Sequence, residues 1–306
     1  MALLTAARAV ASLLAVSLLA FSIIRAMPSD PVAIAIRAYN LPVTPEVAQT
    51  LRRQWGLDLP LYRQYLSWIG RFVLGDWGIS FRTGEPIVAE FLRRLPLSLE
   101  IGLSGLGLAA LLAIPIGFLS ARRPRGWIDV FSRFLAIASQ AIPAFWLGLV
   151  LLWVLAVEWR FMHPFGDNLG AIALAICLIA FASLGTLSRV YRRGLLEAQR
   201  EPFFRTALAK GLSPDAALWR HAHRHALCAL LASLRSEAGW AIGGTATVEV
   251  LAGLPGISQF LVQSIAVRDY FVLQAYVMVV AFWMIVMNAA IGWSLAALDP
   301  RWAEAQ

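Results

Sequence analysis

The chain has few charges, one lysine and two cysteines, and each shortage excludes a class of protein. Only 14% of its 306 residues are charged, whereas a soluble domain carries about 25%. Cys177 and Cys228 both lie in apolar stretches, which excludes the framework of a small disulfide-stabilised domain. With 59% hydrophobic residues and a mean hydropathy of +0.69, the chain has more apolar surface than a soluble core could bury. The excess must face lipid.

Sequence motifs of common catalytic sites are also missing. The residue before Lys210, the only lysine, is Ala209, so the chain lacks the G-x-x-x-x-G-K-[ST] loop that binds nucleotide phosphates. It has no H-E-x-x-H motif, and residues 102–106 fail the G-x-S-x-G pattern at the last position. The sequence therefore predicts no catalytic residue, no cofactor and no ATP site on this chain.

Three histidines close together are the nearest approach to a metal-ligand motif. His221 and His225 share a helical face, while His223 points away from them. Arg220 and Arg224 are interleaved with these histidines and would repel a divalent cation. The sequence therefore predicts a basic helix here that faces a partner or lipid headgroups, and no metal site.

Apolar runs of membrane-spanning length are the strongest positive signal. A helix needs about 20 apolar residues to cross the hydrocarbon core. Three uncharged runs of 20 to 28 residues, and one interrupted only by Glu100, meet this requirement. Of two weaker runs, the first is predicted to be a retained helix and not a cleaved signal peptide, because no A-x-A-like site follows it. The six predicted spans lie at residues 9–24, 97–119, 134–157, 169–188, 226–248 and 271–298.

The distribution of Lys and Arg predicts the orientation. Segments 120–133 and 189–224 carry 4 and 8 of these residues, whereas segments 158–168 and 249–270 carry one each. By the positive-inside rule, both termini and the 189–224 loop are cytoplasmic. This topology accounts for the net charge of +8, so nucleic acid is not a predicted partner. The predicted parts of this all-α integral membrane fold are a first helix at 1–26, an external segment at 27–96 and a core transmembrane domain at 97–306.

The external segment is predicted to contain short amphipathic helices. Thr44 and Pro45 provide a cap and a first-turn proline, and Gly56 provides a stop. After Pro60 comes a second apolar face that is rich in the aromatic residues typical of membrane interfaces. Two interpretations stay open. The segment packs on the membrane surface and the outer ends of the spans, or it docks an external partner.

The loop at 189–224 contains a predicted short helix. Glu201 and Pro202 begin it, it runs from Phe203 to Lys210, and Gly211 ends it. A short helix with two aromatic side chains, held between two spans, has the shape of a knob that fits a groove on a soluble partner. The alternative is a solvated basic connection.

Two charges inside the predicted fifth span, Arg235 and Glu237, are candidates for gating or for the transport pathway. A charge at mid-membrane costs about 2.5–3.5 kcal/mol, so each must have a partner or face water. They are two residues apart, on nearly opposite sides of a helix, so they are not expected to pair with each other. Glu237 is the better candidate for a cationic path.

Several segments together resemble a known family. They are S-R-V-Y-R-R at 188–193, R-T-A-L-A-K-G-L-S at 205–213, L-W-R-H-A at 218–222, G-L-D-L-P-L at 56–61, G-D-W-G-I-S at 75–80, the glycine pair 243–244 before Glu249, P-G at 255–256, R-D-Y at 268–270 and D-P-R at 299–301. These segments, in their order along the chain, resemble the permeases of bacterial dipeptide, oligopeptide and nickel ABC importers. The resemblance covers nearly the whole chain, from about Asp30 to Arg301.

The resemblance implies a type I importer fold and an assembly. The chain would be a permease subunit, not an enzyme, that works by alternating access in the bacterial inner membrane. Its partners would be a second homologous permease, two cytoplasmic ATPase subunits that hold ATP and Mg²⁺, and an external substrate-binding protein.

The resemblance also implies roles for individual residues. The predicted loop helix would couple the chain to an ATPase, with Phe203 and Phe204 as buried anchors and Ala207 allowing close approach. Glu249 joins Arg235 and Glu237 as a candidate gating or pathway residue. The implied coupling residues are Phe203, Phe204, Arg205, Thr206, Ala207, Lys210 and Gly211.

The cargo is predicted less sharply than the class. Residues 40–46, N-L-P-V-T-P-E, followed by G-L-D at 56–58, most resemble the nickel permeases. Bare Ni²⁺ would need His, Cys or carboxylate ligands within the spans, which offer few. The predicted cargo is therefore nickel as a chelate, or else a short peptide. The alternative to a permease is an integral membrane enzyme or scaffold that acts without ATPases, which co-purification of a Walker-motif protein and a second permease would exclude.

Overall fold

The described part of the chain confirms the predicted all-α class. The computed structural model describes residues 2–26, 30–38, 42, 44–163 and 169–298, and within them the only β interaction is an isolated bridge between Ile79 and Pro86. Parts of two family-like segments, at 40, 41 and 43 and at 299–301, lie outside the described residues. The α-helices are α1 Ala2–Ala26, α2 Pro31–Ala38, α3 Pro45–Gln54, α4 Leu61–Val73, α5 Ile87–Arg122, α6 Trp127–Ala141, α7 Ala144–Leu152, α8 Leu169–Ala198, α9 Pro202–Ala209, α10 Pro214–Ala217, α11 His223–Glu237, α12 Thr245–Ala252, α13 Ile257–Ala266 and α14 Tyr270–Leu298.

Three irregular turns extend these helices. A π-helical stretch at Trp153–Glu158 continues α7, and another at Leu218–Ala222 leads into α11. A 3₁₀ turn at Ala238–Ala241 follows α11. Local changes of helix type often mark functional hinges, and two of the three stretches flank the helix that carries Arg235 and Glu237.

The chain divides into two compact units, of which the first comprises residues 1–96 and 256–285. Aromatic rings hold its helices together. Phe21 of α1 packs against Tyr65 and Trp68 of α4, with ring centroids 5.6 and 6.1 Å apart. The predicted external segment is thus joined to the first predicted span by ring contacts.

The second unit comprises residues 97–255 and 286–306, of which 97–163, 169–255 and 286–298 are described. Its central helix is α8, which packs against α6 and α11 through small residues. A Cβ added at Gly194 of α8 would lie 2.8 Å from the Cα of Ala226 in α11. Small side chains allow this close backbone approach, as in membrane helix bundles generally.

Four single helices can cross a membrane by length and composition, and two helix pairs raise the number to six. The single helices include four of the predicted spans, at 9–24, 97–119, 169–188 and 271–298. The structure reaches the predicted number of six only if each bent pair is counted as one span. Of the other two predicted spans, the third differs in form, and the fifth is wrong in position, because the second pair covers residues 245–266, most of which were predicted to be external.

The predicted third span is bent and is not one continuous helix. Its halves, Trp127–Ala141 and Ala144–Glu158, meet at an angle of 96°. Pro143 lacks a backbone N–H and disfavours helical geometry in the residue before it. Ile142 is accordingly extended, with ψ at 116°.

The predicted fifth span, 226–248, is broken. Helix α11 ends at Glu237, the 3₁₀ turn follows, and α12 begins only at Thr245. The break falls on a stretch with Gly239, Gly243 and Gly244, and glycine weakens a helix interior by about 1 kcal/mol relative to alanine. Helices α12 and α13 together pass the length and composition test instead.

Candidate functional site

Helix α9 begins and ends where the sequence indicates. Pro202 occupies its first turn after an extended Glu201, and the helix ends at Ala209, which confirms the predicted helix to within one residue. Gly211 follows with φ at +88°, and a Cβ there would meet no atom within 4 Å. Backbone conformation, not local crowding, therefore favours glycine at this turn.

The two faces of α9 have different surroundings. Phe204 and Ala207 are only 6% and 4% exposed and belong to the core of the second unit. This arrangement differs from the expectation that both phenylalanines and Ala207 meet a partner, because two of these side chains are covered by their own chain. The exposed residues of α9 and its end are Pro202, Phe203, Arg205, Thr206, Leu208, Ala209, Lys210 and Gly211.

The segment after α9 is fastened to neighbouring helices. Asp215 of α10 forms a 2.5 Å ion pair with Arg122 at the end of α5. The hydroxyl of Tyr191 in α8 is hydrogen-bonded to Nδ1 of His223, whose ring stacks on Trp219 with centroids 4.5 Å apart. Burial lowers the pKa of His223, which favours the neutral ring in this contact. The segment that follows α9 is therefore connected to α5 and α8 by side-chain contacts.

A buried carboxylate joins α6 to α8. Asp129 has no exposed surface, and its oxygens form ion pairs with Arg192 of α8 at 2.7 Å and with Arg133 at 2.6 Å. The backbone N–H of Arg125 donates a hydrogen bond to the same carboxylate at 2.9 Å. Sequence reasoning missed this ion-pair cluster, although an Asp in a first helical turn with Arg four residues later is a recognisable signal.

The candidate pathway carboxylates each have a serine partner. Ser183 of α8 donates a 2.9 Å hydrogen bond to Oε2 of Glu237, and Ser98 of α5 donates a 2.7 Å bond to Oε1 of Glu249. Glu249 is fully buried. The Nε of Arg235 is buried and has no hydrogen-bond partner within the described part of the chain.

One face of α5 contacts both Glu249 and the irregular segment that follows α11. Ser98 and Gly102 are four residues apart and so lie on the same side of α5. Ser98 meets Glu249, and a Cβ at Gly102 would overlap the carbonyl group of Ala241 and lie 2.7 Å from its Cα. The sequence predicts the carboxylates but not the serines, whose only signal is that they are polar residues in apolar helices.

The described residues contain no group of three or more His, Cys, Asp or Glu side chains arranged to hold a metal ion. Among the three histidines of the basic helix, His221 and His225 are exposed, while His223 is engaged with Tyr191.

Comparison with known families gives two matches that together span most of the chain. Residues 113–304 match the model described as "Binding-protein-dependent transport system inner membrane component". Residues 3–102 match the corresponding N-terminal model of a binding-protein-dependent transport system membrane component.

Known relatives are similar over nearly their full length. The oligopeptide transport system permease protein AppB of Bacillus subtilis (strain 168) is 33% identical, over 94% of each chain. The di/tripeptide transport system permease protein DppB of Pseudomonas aeruginosa (strain UCBPP-PA14) is 30% identical, over 94% of this chain and 93% of its own. The glutathione transport system permease protein GsiC of Escherichia coli (strain K12) is 28% identical, over 94% of each chain.

One solved structure shows a similar fold. A crystal structure of an amino acid ABC transporter with histidines matches with a TM-score of 0.50 at 18% identity. The match covers 70% of this chain and 94% of that chain. At this identity it shows the fold alone, and it fits the type I permease architecture.

Proposed function

This chain belongs to the family of binding-protein-dependent transport system inner membrane components, and on that premise we propose that its cargo is short peptides. It is a multi-pass permease subunit of an ABC importer and not an enzyme, since ATP hydrolysis in such importers resides on partner subunits. One observation carries the cargo proposal. The relatives compared above transport oligopeptides, di- and tripeptides, and the tripeptide-like glutathione by name.

The proposed assembly has four further subunits. A second homologous permease pairs with this chain, two cytoplasmic ATPases bind ATP and Mg²⁺, and an external binding protein delivers the peptide. Both termini and the α9 loop lie on the cytoplasmic side, as the 12-to-2 distribution of Lys and Arg in the short loops supports. Reporter fusions at Gly126 and Gly211 should read cytoplasmic, and a fusion at Gly166 should read external.

Helix α9 is the proposed contact with an ATPase. Phe204 and Ala207 fix it to the core of the second unit, and Phe203, Arg205, Thr206, Lys210 and Gly211 provide the contact surface. An exposed aromatic side chain beside basic residues is a typical interface anchor. Alternating access follows if ATP-driven movement of the partners shifts the equilibrium between two arrangements of the helices fastened to α9.

Arg235, Glu237 and Glu249 are the proposed gating residues. Each is a charged group in or beside the broken fifth predicted span. A change of backbone geometry there would change the groups with which it forms hydrogen bonds. Ser98 and Ser183 stabilise the two carboxylates in the described arrangement. Glu237→Gln should therefore reduce transport without preventing insertion, whereas unchanged transport would remove Glu237 from the pathway.

Nickel as cargo stays a prediction supported by the sequence resemblance at 40–46 and 56–58. No metal-ligand group exists among the described residues, so a nickel substrate would travel as a chelate. Uptake of labelled tripeptide and of chelated radioactive nickel in cells that express the complete system separates the two cargos. We expect tripeptide uptake to depend on ATP, and we expect unlabelled peptides to compete with it. Uptake of chelated nickel that peptides do not inhibit would overturn the peptide proposal.

The same cells test the role of α9. Gly211→Asp adds a side chain and a charge at a position where φ is +88°. The side chain strains the turn, and the charge lies at the proposed contact with the ATPase. We expect loss of uptake and of ATPase pull-down while the chain still inserts and still binds its sister permease. Wild-type levels of both would show that the loop is a solvated connection.

A further inference from the structure

The first unit contains a cavity of about 510 Å³ that is lined mainly by the predicted external segment. This volume is within the range of small-molecule binding pockets, about 300–1,000 Å³. Helices α3 and α4, the turns at residues 76–84 and the start of α14 provide its lining.

Aromatic rings form two walls of the cavity. On one wall, Trp55, Phe81 and Phe271 pack with centroids 5.1 to 5.9 Å apart. On the other wall lie Trp68 and Trp77, with Phe72 stacked 4.8 Å from Trp77 behind them. These rings give the cavity a largely apolar lining, and their edge and stacked contacts stabilise the arrangement.

Two opposite charges also line the cavity. Arg71 and Asp76 are both exposed, and within the described residues neither forms an ion pair. The backbone N–H of Asp76 donates to the carbonyl of Arg71 at 3.0 Å, so a single turn holds both side chains. One carboxylate oxygen of Asp76 accepts from the N–H of Gly78 at 3.1 Å, which leaves the other oxygen available to a ligand.

We propose that this cavity is a binding site for a short zwitterionic peptide with an aromatic or large aliphatic side chain. The inference rests on the proposed peptide cargo. The rings accept the side chain, the guanidinium of Arg71 pairs with the terminal carboxylate, and the carboxylate of Asp76 pairs with the terminal ammonium. An acyl chain would use the apolar walls but neither of the two charges, and a free ion would use a charge but not the walls.

A peptide in this cavity has left the binding protein but has not entered the spans. The cavity would therefore hold released cargo next to the permease and raise its local concentration there. Selectivity follows from the walls. Peptides with large apolar side chains are retained, and peptides with acidic side chains meet no second cation in the cavity.

Direct binding tests the inference. The probe is the dipeptide Ala-Phe, titrated into the assembled transporter in nanodiscs without the external binding protein, with tryptophan fluorescence and calorimetry as readouts. Arg71→Gln and Asp76→Asn each remove one charge, and Asn retains the oxygen that accepts from Gly78. Each change should weaken Ala-Phe binding about tenfold, the usual worth of one charged hydrogen bond. Leu51→Trp fills the cavity and should abolish binding.

Two controls test whether the charges that line the cavity hold the peptide termini. Arg63→Gln removes an exposed arginine on the same helix that does not line the cavity, and it should leave affinity unchanged. N-acetyl-Ala-Phe-amide lacks both terminal charges and should bind to the wild type more weakly than Ala-Phe binds to either charge variant.

The outcomes distinguish this inference from the cargo proposal. If Ala-Phe binds equally to wild type and Leu51→Trp while cells still import peptides, the cavity is not a peptide site and the cargo proposal stands. If Leu51→Trp instead weakens docking of the binding protein and Ala-Phe never binds, the cavity holds a side chain of that partner and the inference is overturned. If peptides are neither imported nor bound, both proposals are wrong.

Discussion

The two compact units bury apolar surface with opposite kinds of side chain. The first unit uses large rings, such as Trp55, Phe81 and Phe271. The second unit uses alanines and glycines along α8 and its neighbours. Rings interlock in preferred edge and stacked geometries, whereas small residues form smooth helix surfaces that approach closely. The packing of the first unit therefore depends on ring geometry, and that of the second depends on close backbone approach.

The largest expected effect distinguishes the α9 side chain that stabilises the fold from the one that is proposed to bind the ATPase. Phe204→Ala empties a buried site and should lower the free energy of unfolding by about 3–5 kcal/mol. Phe203→Ala removes an exposed ring and should leave unfolding nearly unchanged while it weakens ATPase binding. Denaturant titration in micelles and ATPase pull-down measure the two effects. Equal destabilisation by both variants would contradict the assignment of the two faces.

The next effect tests the buried ion pairs of the second unit. Asp129→Asn leaves Arg192 without its charged partner, and breaking a buried pair costs about 3–5 kcal/mol. Glu197→Gln, which breaks the exposed pair with Arg193, should cost less than about 1 kcal/mol. The same titration compares them. Similar losses would mean that α6 is not held to α8 through Asp129.

Close packing through small residues is tested at Gly102. An added Cβ would lie 2.7 Å from the Cα of Ala241 and overlap its carbonyl group, so Gly102→Ala forces backbone to move and should cost about 1–3 kcal/mol. Gly107→Ala on the same helix meets no atom within 4 Å and should stabilise slightly, because alanine favours helix. Unfolding midpoints of the pair report the difference. A Gly102→Ala protein as stable as wild type would show that this contact is loose.

Ring packing in the first unit should be more tolerant of a smaller side chain. Phe81→Leu keeps an apolar side chain but loses the stack on Trp55 and the edge contact with Phe271. Each of the two ring contacts is worth about 0.5–1.5 kcal/mol, and because leucine refills part of the site we expect the net loss to stay below that at Gly102. Leu92 on α5 is exposed, and Leu92→Ala serves as a control for generic loss of apolar surface. A loss larger than that of Gly102→Ala would reverse the comparison between the units.

The smallest effect is a pH dependence in the first unit. Asp269 is buried and accepts bonds from Ser80 and from the N–H groups of Arg82 and Val272, yet burial outweighs these bonds and raises its pKa. A raised folded-state pKa means that the folded state binds the proton more tightly. The contribution is therefore fully present below the unfolded value, about 3.9, and is lost as pH rises through the folded pKa. The stability of wild type relative to Asp269→Asn should increase as pH falls toward about 4, and a flat difference would contradict the burial effect.

Local sequence signals predicted local structure well. The cap at Thr44, whose Oγ1 accepts from the N–H of Val47, and the helix between Pro202 and Gly211 both depend on neighbours in the chain. The break at Pro143 was predictable in the same way, but its apolar surroundings favoured an uninterrupted span. Hydropathy records how apolar a segment is and not whether its backbone can continue as a helix.

Contacts between distant segments could not be predicted from the sequence. Ser98 and Glu249 are 151 positions apart, and Ser183 and Glu237 are 54 apart. No local pattern shows which serine will meet which carboxylate, or that Phe204 turns inward while Phe203 turns outward. These contacts are determined by packing between distant segments, which leaves no local pattern in a single sequence.

The bend at Pro143 also bears on how residues 127–158 match the thickness of the bilayer. A helix rises 1.5 Å per residue, so each half of residues 127–158 is roughly 22 Å long, less than the roughly 30 Å hydrocarbon thickness. Neither half alone is long enough to cross the hydrocarbon core as a straight helix. Straightened into one helix, the pair would measure about 48 Å and exceed the bilayer, which would force a strong tilt. Pro143 thus divides a segment that would be too long for an untilted span into two halves that are each too short for one.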